Sequence, residues 1–248
     1  MDLLEQKNLR EIEALNQRGG RTLSFVDLIA SGTLSPDLVA FCWTAIAHGA
    51  SFLTAARPGG AGKSTLLANL LGLLPPHEEI ITVTDPHILA PQAPRCWLAH
   101  EIGPGHWYGY IWGQQVRDFL ARRAPGQRIA SCLHADTLPE VRAALLSPPL
   151  NVPEEHLNAI DLILFIHVTP GFRRRVVEVH ESTSNGHRLA FAWDEDADEI
   201  RQQGPSQLLA RLGADARELA ARCAAVQTIV ARANPAFEAV RAQVLAAY

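Results

Sequence analysis

Arg57-Pro58-Gly59-Gly60-Ala61-Gly62-Lys63-Ser64-Thr65 is the stretch on which the fold of this chain turns. Ahead of it, Ser51 to Ala55 is a short apolar run with the character of a strand. Behind it, Leu66-Leu67-Ala68-Asn69-Leu70-Leu71 favours a helix. Strand, glycine-rich turn, Gly-Lys-Ser and helix together form the layout of a phosphate-binding P-loop. Chemistry explains the residue types. Backbone N–H groups of a tight turn and of a helix N-terminus converge on one spot and attract anionic oxygens. Glycines let the backbone approach without a side chain in the way. The pattern makes Pro58, Gly59, Gly60, Ala61, Gly62, Lys63, Ser64 and Thr65 the expected cradle. Lys63 would reach the β- and γ-phosphates, and the Ser64 hydroxyl would ligate Mg²⁺. One position departs: the usual pattern opens on glycine where this chain has Arg57. Two readings of Arg57 stand open, a solvated arginine at the loop entrance and a direct phosphate contact.

The 248 residues are 48% hydrophobic and 19% charged, which fits one α/β domain with a small appendage and excludes wholesale disorder. A net charge of −4 gives no general pull toward nucleic acid, and none is expected as a partner. Cys42, Cys96, Cys132 and Cys223 are far apart in apolar surroundings, with no Cys-x-x-Cys pair. Buried free thiols in a reducing compartment are the expectation. Met1-Asp2-Leu3-Leu4-Glu5-Gln6 shows no signal-peptide pattern, so a cytoplasmic location is expected. The apolar run from Leu38 to Ala56 contains His48, Gly49 and Ser51 and divides into a helix and a strand, buried core rather than a membrane span.

Along the chain, residues 2–17 read as a charged helix stopped by Gly19-Gly20. Ser35-Pro36 is a cap followed by a favoured first helical residue, and Gly49 ends that helix. Strands are expected at 79–85, 96–99, 128–133 and 161–168, with helices at 114–123 and 138–146 between them. The alternation implies a mostly parallel sheet covered on both faces. Asp85, Glu101 and His134 all fall at strand C-terminal ends, the edge where open α/β sheets bind ligands. His106, Trp107, Tyr108, Tyr110 and Trp112 form an aromatic cluster, read either as a subunit interface or as packing. Beyond Thr169-Pro170, Arg173–Glu181 and His187–Trp193 read as strands joined by Ser184-Asn185-Gly186. The triplet Arg173-Arg174-Arg175 reads as a solvated strand edge, with a neighbouring subunit or anionic lipid as the other reading. Alanine- and leucine-rich helices close the chain, one starting at Asn234-Pro235.

These residues resemble the type II/type IV secretion ATPases, the hexameric motors of pilus assembly, archaeal filaments and export. Thr22 to Ile29 and Gly32-Thr33-Leu34-Ser35-Pro36 resemble that family's lead-in to its motor domain. Leu133-His134-Ala135-Asp136 resembles its histidine box, and Asn158-Ala159-Ile160-Asp161-Leu162-Ile163 the apolar strand beyond. Phe191-Ala192-Trp193-Asp194 and the closing helices look most like the archaeal-type members. The resemblance implies a RecA-like P-loop NTPase fold with a Walker A turn. It makes Lys63, Glu101 and His134 the catalytic residues and Ser64, Glu101 and Asp85 the Mg²⁺ ligands, direct or through water. Glu101 would orient the attacking water as the Walker B acid, and His134 would stand near the γ-phosphate. It also implies ATP and Mg²⁺ as ligands, a hexameric ring, a membrane platform protein as partner and peripheral association with the membrane.

The chain departs from that pattern. Thr84 stands where a glutamate is common, His100 replaces a glycine, and Ile102-Gly103 lacks an expected arginine. The segment between Asp85 and Glu101 is short, and Arg95 is its only arginine, where the family carries arginines that sense ATP across subunits. The expected division is an N-terminal helix over residues 1–20, a P-loop core over 21–170 and a hairpin-and-helix subdomain over 171–248. Two functions follow: an ATP-driven motor subunit, or a weak or inactive homologue that holds nucleotide as a scaffold for an active motor. A small P-loop kinase would need an arginine-rich lid, and none is seen.

Overall fold

The computed structural model describes residues 2–16, 19–84, 94–122 and 126–248. Helix α1 (Leu3–Ala14) starts at Asp2, whose carboxylate accepts from the Glu5 N–H at 2.8 Å. Helix α2 (Phe25–Ala30) opens on a capping box between Ser24 and Asp27. Helix α3 (Pro36–Ala47) carries the expected cap: the Ser35 hydroxyl accepts from the Leu38 N–H at 3.2 Å, with proline next. After Gly49, at φ +96°, the chain enters strand β1 (Phe52–Ala55), so the apolar run divides into helix and strand as expected.

Helix α4 (Lys63–Leu71) follows the glycine-rich turn. Strands β2 (Glu79–Thr82), β3 (Arg95–Ile102) and β4 (Tyr110–Ile111) come next, then helix α5 (Gln114–Leu120) and strand β5 (Gln127–Leu133). Helices α6 (Leu138–Leu146) and α7 (Glu154–Asn158) lead to strand β6 (Leu162–Thr169). Strands β7 (Arg173–Thr183), β8 (Gly186–Asp194) and β9 (Glu199–Gln202) precede helices α8 (Gln207–Leu212), α9 (Ala216–Ala231) and α10 (Phe237–Ala246).

The architecture is mixed α/β with one large, mostly parallel sheet. Its order is β2-β3-β5-β1-β6-β7-β8-β9, with β4 on the edge of β3. Strands β2 to β6 pair in parallel, and β7, β8 and β9 extend the same sheet in antiparallel fashion. Strand β1 is central and buried at every position. Phe52 joins a core built from α1, α2, α3, α4 and the C-terminal helices, while Leu53 and Ala55 join the opposite core against α5, α6 and α7. Alternate side chains thus feed two apolar layers, which is why the strand reads as a continuous apolar run rather than an alternating one.

Three details differ from the sequence reading. Helix α10 starts at Phe237 behind Ala236, because the Asn234 side chain accepts from the Ala236 N–H at 3.2 Å inside a turn instead of capping the helix. Cys42, Cys96 and Cys132 are buried free thiols, whereas Cys223 is only half-buried on α9. The arginine triplet is not uniformly solvated: Arg175 is buried and paired with Asp198 at 2.6 Å.

Candidate functional site

The expected cradle connects the C-terminal end of β1 to the N-terminus of α4. The Thr54 hydroxyl on β1 donates to the Lys63 carbonyl at 3.1 Å, pinning the first turn of the helix to the central strand. Gly62 caps the helix at φ +108°. A Cβ there would come within 3.1 Å of Ile166 Cδ1 and 3.4 Å of Arg174 Cδ, tight against side-chain ends that can shift, so it is the positive φ that favours glycine. Pro58 and Gly59 are exposed, Gly60, Gly62, Ser64 and Thr65 half-buried, and Ala61 and Lys63 buried. The turn therefore opens to solvent on one side while its lysine points inward.

Three of the expected residues meet there. The Lys63 ammonium lies 3.8 Å from the Glu101 carboxylate and 3.4 Å from His134 Nε2. His134 Nε2 lies 3.7 Å from the same Glu101 oxygen. His134 follows the last residue of β5, and its Nδ1 is 2.7 Å from the Arg57 carbonyl. A carbonyl only accepts, so Nδ1 donates, and in the neutral ring Nε2 keeps its lone pair toward Lys63. Glu101 stands one residue before the end of β3, where the pairing of β3 with β5 slips between Ala99 and Ile102. Such a bulge re-aims side chains and recurs beside active sites. Period-two patterning in the sequence carries no signal for it.

Glu101 is buried, and burial raises its pKa; Lys63 and His134 pull in the opposite direction. One carboxylate oxygen, Oε2, faces Lys63 and the His134 ring. The other, Oε1, has no hydrogen-bond partner among the described residues. A buried acceptor with unmet capacity is unusual enough to need a cause. Beneath the turn, burial and nearby Glu101 push the Cys132 thiol up to about 12, so it is no nucleophile at neutral pH.

Asp85, the expected third metal ligand, lies outside the described residues. Among the described residues no three His, Cys, Asp or Glu side chains group as a metal site. Arg57 turns away from the cradle. Its guanidinium pairs with Glu140 and Asp136, and the Arg57 backbone N–H donates to the Asp136 carboxylate at 2.6 Å. The position that departs from the glycine pattern thus clamps the turn to the segment after β5.

The aromatic cluster divides. Tyr108 packs edge-on against buried His100 at 5.2 Å, while Trp107 is 64% exposed. Gly109, at φ +74°, leaves the room His100 occupies: a Cβ would come within 2.7 Å of the ring. Burial lowers the His100 pKa to about 4. The sequence reading missed Arg174 on β7, whose Nη2 donates to the Gly60 carbonyl at 3.1 Å. Strand alternation puts Arg174 on the face opposite to Arg173 and Arg175, but carries no signal that this face meets Gly60.

No known family's model matches the chain. Two uncharacterised proteins of Methanocaldococcus jannaschii are similar to it. MJ1287 is 24% identical over 221 residues, which is 75% of this chain and 81% of that protein. MJ0900 is 24% identical over 209 residues, 71% of this chain and 38% of that protein. Neither carries an activity that could be transferred. Among solved structures, the VirB11 ATPase of the Brucella suis type IV secretion system, in complex with sulphate, aligns at a TM-score of 0.36 and 15% identity. That alignment covers 80% of this chain and 58% of VirB11, so the chain spans less than two thirds of VirB11 and of MJ0900. No helix among the described residues is long and apolar enough to cross a membrane.

Proposed function

We propose that this chain binds ATP in the glycine-rich turn and hydrolyses it, as a motor subunit of a secretion or pilus-type assembly machine. One observation carries the proposal: Lys63, Glu101 and His134, brought from α4, β3 and the end of β5, meet within 4 Å at the mouth of that turn. Lys63 would neutralise charge on the β- and γ-phosphates. Bound Mg²⁺, held by Ser64, by phosphate oxygens and by Glu101 or Asp85, would supply further charge neutralisation. Oε1 of Glu101, which has no hydrogen-bond partner among the described residues, would accept a hydrogen bond from a water, the role of a water-orienting acid. His134, its Nδ1 proton held by the Arg57 carbonyl, would present Nε2 toward the terminal phosphate and donate to it as the imidazolium. The sequence resemblance supports a hexameric ring, a membrane platform protein as partner and a cytoplasmic, membrane-peripheral location. It likewise supports the division at residues 20 and 170.

A second reading, a nucleotide-holding scaffold with little turnover, is favoured by Arg95. It is the last arginine of the shortened link, and it pairs with Glu79 at 3.3 Å across β2 and β3. It starts β3, the far end of that strand from Glu101. The link therefore brings no arginine to the site, and an arginine at the reacting phosphate is worth about 10³–10⁵ in rate where one is used.

Mg²⁺-dependent ATP turnover over a wide protein concentration range, beside Lys63→Ala and Glu101→Gln, tests both. Turnover in wild type that falls by about 10²–10⁴ in Glu101→Gln, with binding retained, and is lost in Lys63→Ala supports the motor. Binding without turnover, abolished by Lys63→Ala, supports the scaffold. Absence of both in wild type refutes nucleotide binding.

A further inference from the structure

The three consecutive arginines at the start of β7 have different fates. Arg173 and Arg175 both reach Asp198, at 3.3 Å and 2.6 Å. Arg174, on the opposite face of the strand, has no carboxylate partner among the described residues. Its stem passes over Gly62, with Cδ 3.4 Å from where a Cβ would stand. Its guanidinium then crosses the turn to Gly60, with Nη2 at 3.1 Å and Nε at 3.4 Å from the carbonyl oxygen. Two cations thus bracket the turn, Lys63 buried on the inner side and Arg174 exposed on the outer. A guanidinium that among the described residues donates to one carbonyl keeps N–H donors in hand, and its planar fork matches phosphate oxygens.

We propose that Arg174 is a second phosphate-binding cation of this site, supplied by the same chain, which contacts the terminal phosphate of a bound nucleoside triphosphate. The inference rests on the nucleotide-binding reading of the turn. It assigns to the sheet's antiparallel extension the task that Arg57 and Arg95, both held by carboxylates, do not perform. It also gives β7 and its hairpin a direct link to what occupies the turn: a triphosphate would draw Arg174 off Gly60, and a diphosphate would leave it there.

The test is calorimetric titration of the full chain with the Mg²⁺ complexes of a non-hydrolysable ATP analogue and of ADP. The variants are Arg174→Gln, Arg174→Lys, Arg173→Ala and Lys63→Ala, each checked by thermal melting. Glutamine keeps a donor for the Gly60 carbonyl but no charge; lysine keeps the charge without the fork. The expected result is an affinity loss of about tenfold to a hundredfold for the triphosphate in Arg174→Gln, with ADP affinity kept within about threefold. Lysine should restore part of that loss, and Arg173→Ala should bind as wild type. Wild-type triphosphate affinity in Arg174→Gln, or an equal loss for both nucleotides, overturns the inference while leaving the nucleotide site standing, provided Lys63→Ala abolishes binding. If wild type binds neither nucleotide, the underlying reading fails and this inference falls with it.

Discussion

The two ends of the parallel strands each bury an acid against a base, and they treat the pair differently. At the N-terminal end, Glu78 meets Arg128 through two contacts of 2.6 and 2.7 Å. Arg128 also donates to the Ala50 carbonyl at 3.3 Å and to that of Ile46, and Asn8 of α1 donates to the Glu78 carbonyl at 2.8 Å. At the C-terminal end, Glu101 and Lys63 are 3.8 Å apart, and Oε1 of Glu101 meets no hydrogen-bond partner among the described residues. Burial raises the pKa of both acids, and a neighbouring cation opposes it in both. The difference is closeness of contact: both Glu78 oxygens lie within 2.7 Å of Arg128 nitrogens, although Oε1 lacks an aligned hydrogen bond, whereas the nearest basic nitrogen to Glu101 among the described residues is 3.7 Å away. One end is a tight ionic joint that docks α1 and α3 onto the sheet; the other is a looser contact around a buried carboxylate. Where a fold leaves buried polar capacity unspent, function is the first explanation to test.

Breaking the tight joint should have the largest effect on stability. Arg128→Met strands a buried carboxylate, and removing one partner of a buried pair typically costs about 3–5 kcal/mol. Urea unfolding should show that loss, while the folded fraction still binds Mg²⁺-ATP as wild type does. A loss of nucleotide affinity in the folded fraction would show that the two ends are coupled and would weaken the contrast drawn between them.

A smaller effect comes from His100, the neighbour of Glu101 on the bulge. Burial lowers its pKa from 6.5 to about 4. Between those values the unfolded chain binds a proton that the folded chain refuses, so stability is present above pH 6.5 and is lost as pH falls toward 4. The span corresponds to about 3 kcal/mol at most. His100→Phe keeps a ring beside Tyr108 and Gly109 and removes the titration. Urea midpoints taken from pH 7 down to pH 4 should therefore fall less steeply in the variant. Parallel slopes would place the acid sensitivity in other groups.

Much of this was legible in the sequence, for reasons that differ by element. The Ser35-Pro36 cap and the Asn185-Gly186 hairpin are local, because a few residues determine their own backbone. The turn at 57–65 was legible because the glycines and Lys63 are chemically specific. The meeting of Glu101 and His134 followed from one topological rule, that parallel strands aim their C-terminal ends at a common edge. The illegible parts depend on distant partners. Nothing near Arg57 says that Asp136 and Glu140 lie across from it, and nothing near Arg175 says that Asp198 will bury it. Strand β9 reads Glu-Ile-Arg-Gln and is mostly exposed, so it lacks the apolar alternation by which strands are found. Arg174 fell between these cases: its face could be read from alternation, its neighbour could not.

The smallest expected effect is the most discriminating, because it compares the two acids by the same substitution. Glu78→Gln removes the charge from a close-contact pair and leaves Arg128 buried without its counter-ion, a loss on the same scale as Arg128→Met. Glu101→Gln removes a charge whose burial is only partly offset at 3.8 Å and replaces the carboxylate with an amide. Residues held for function are commonly near-neutral or costly to the fold, so stability should change by about 1 kcal/mol or less. Paired urea titrations at neutral pH decide the matter. A Glu101→Gln loss as large as that of Glu78→Gln would make Lys63–Glu101 an ordinary structural ion pair, whatever the turnover assay reports. A small change in stability beside a large change in turnover would mark Glu101 as an acid that the fold carries for its chemistry.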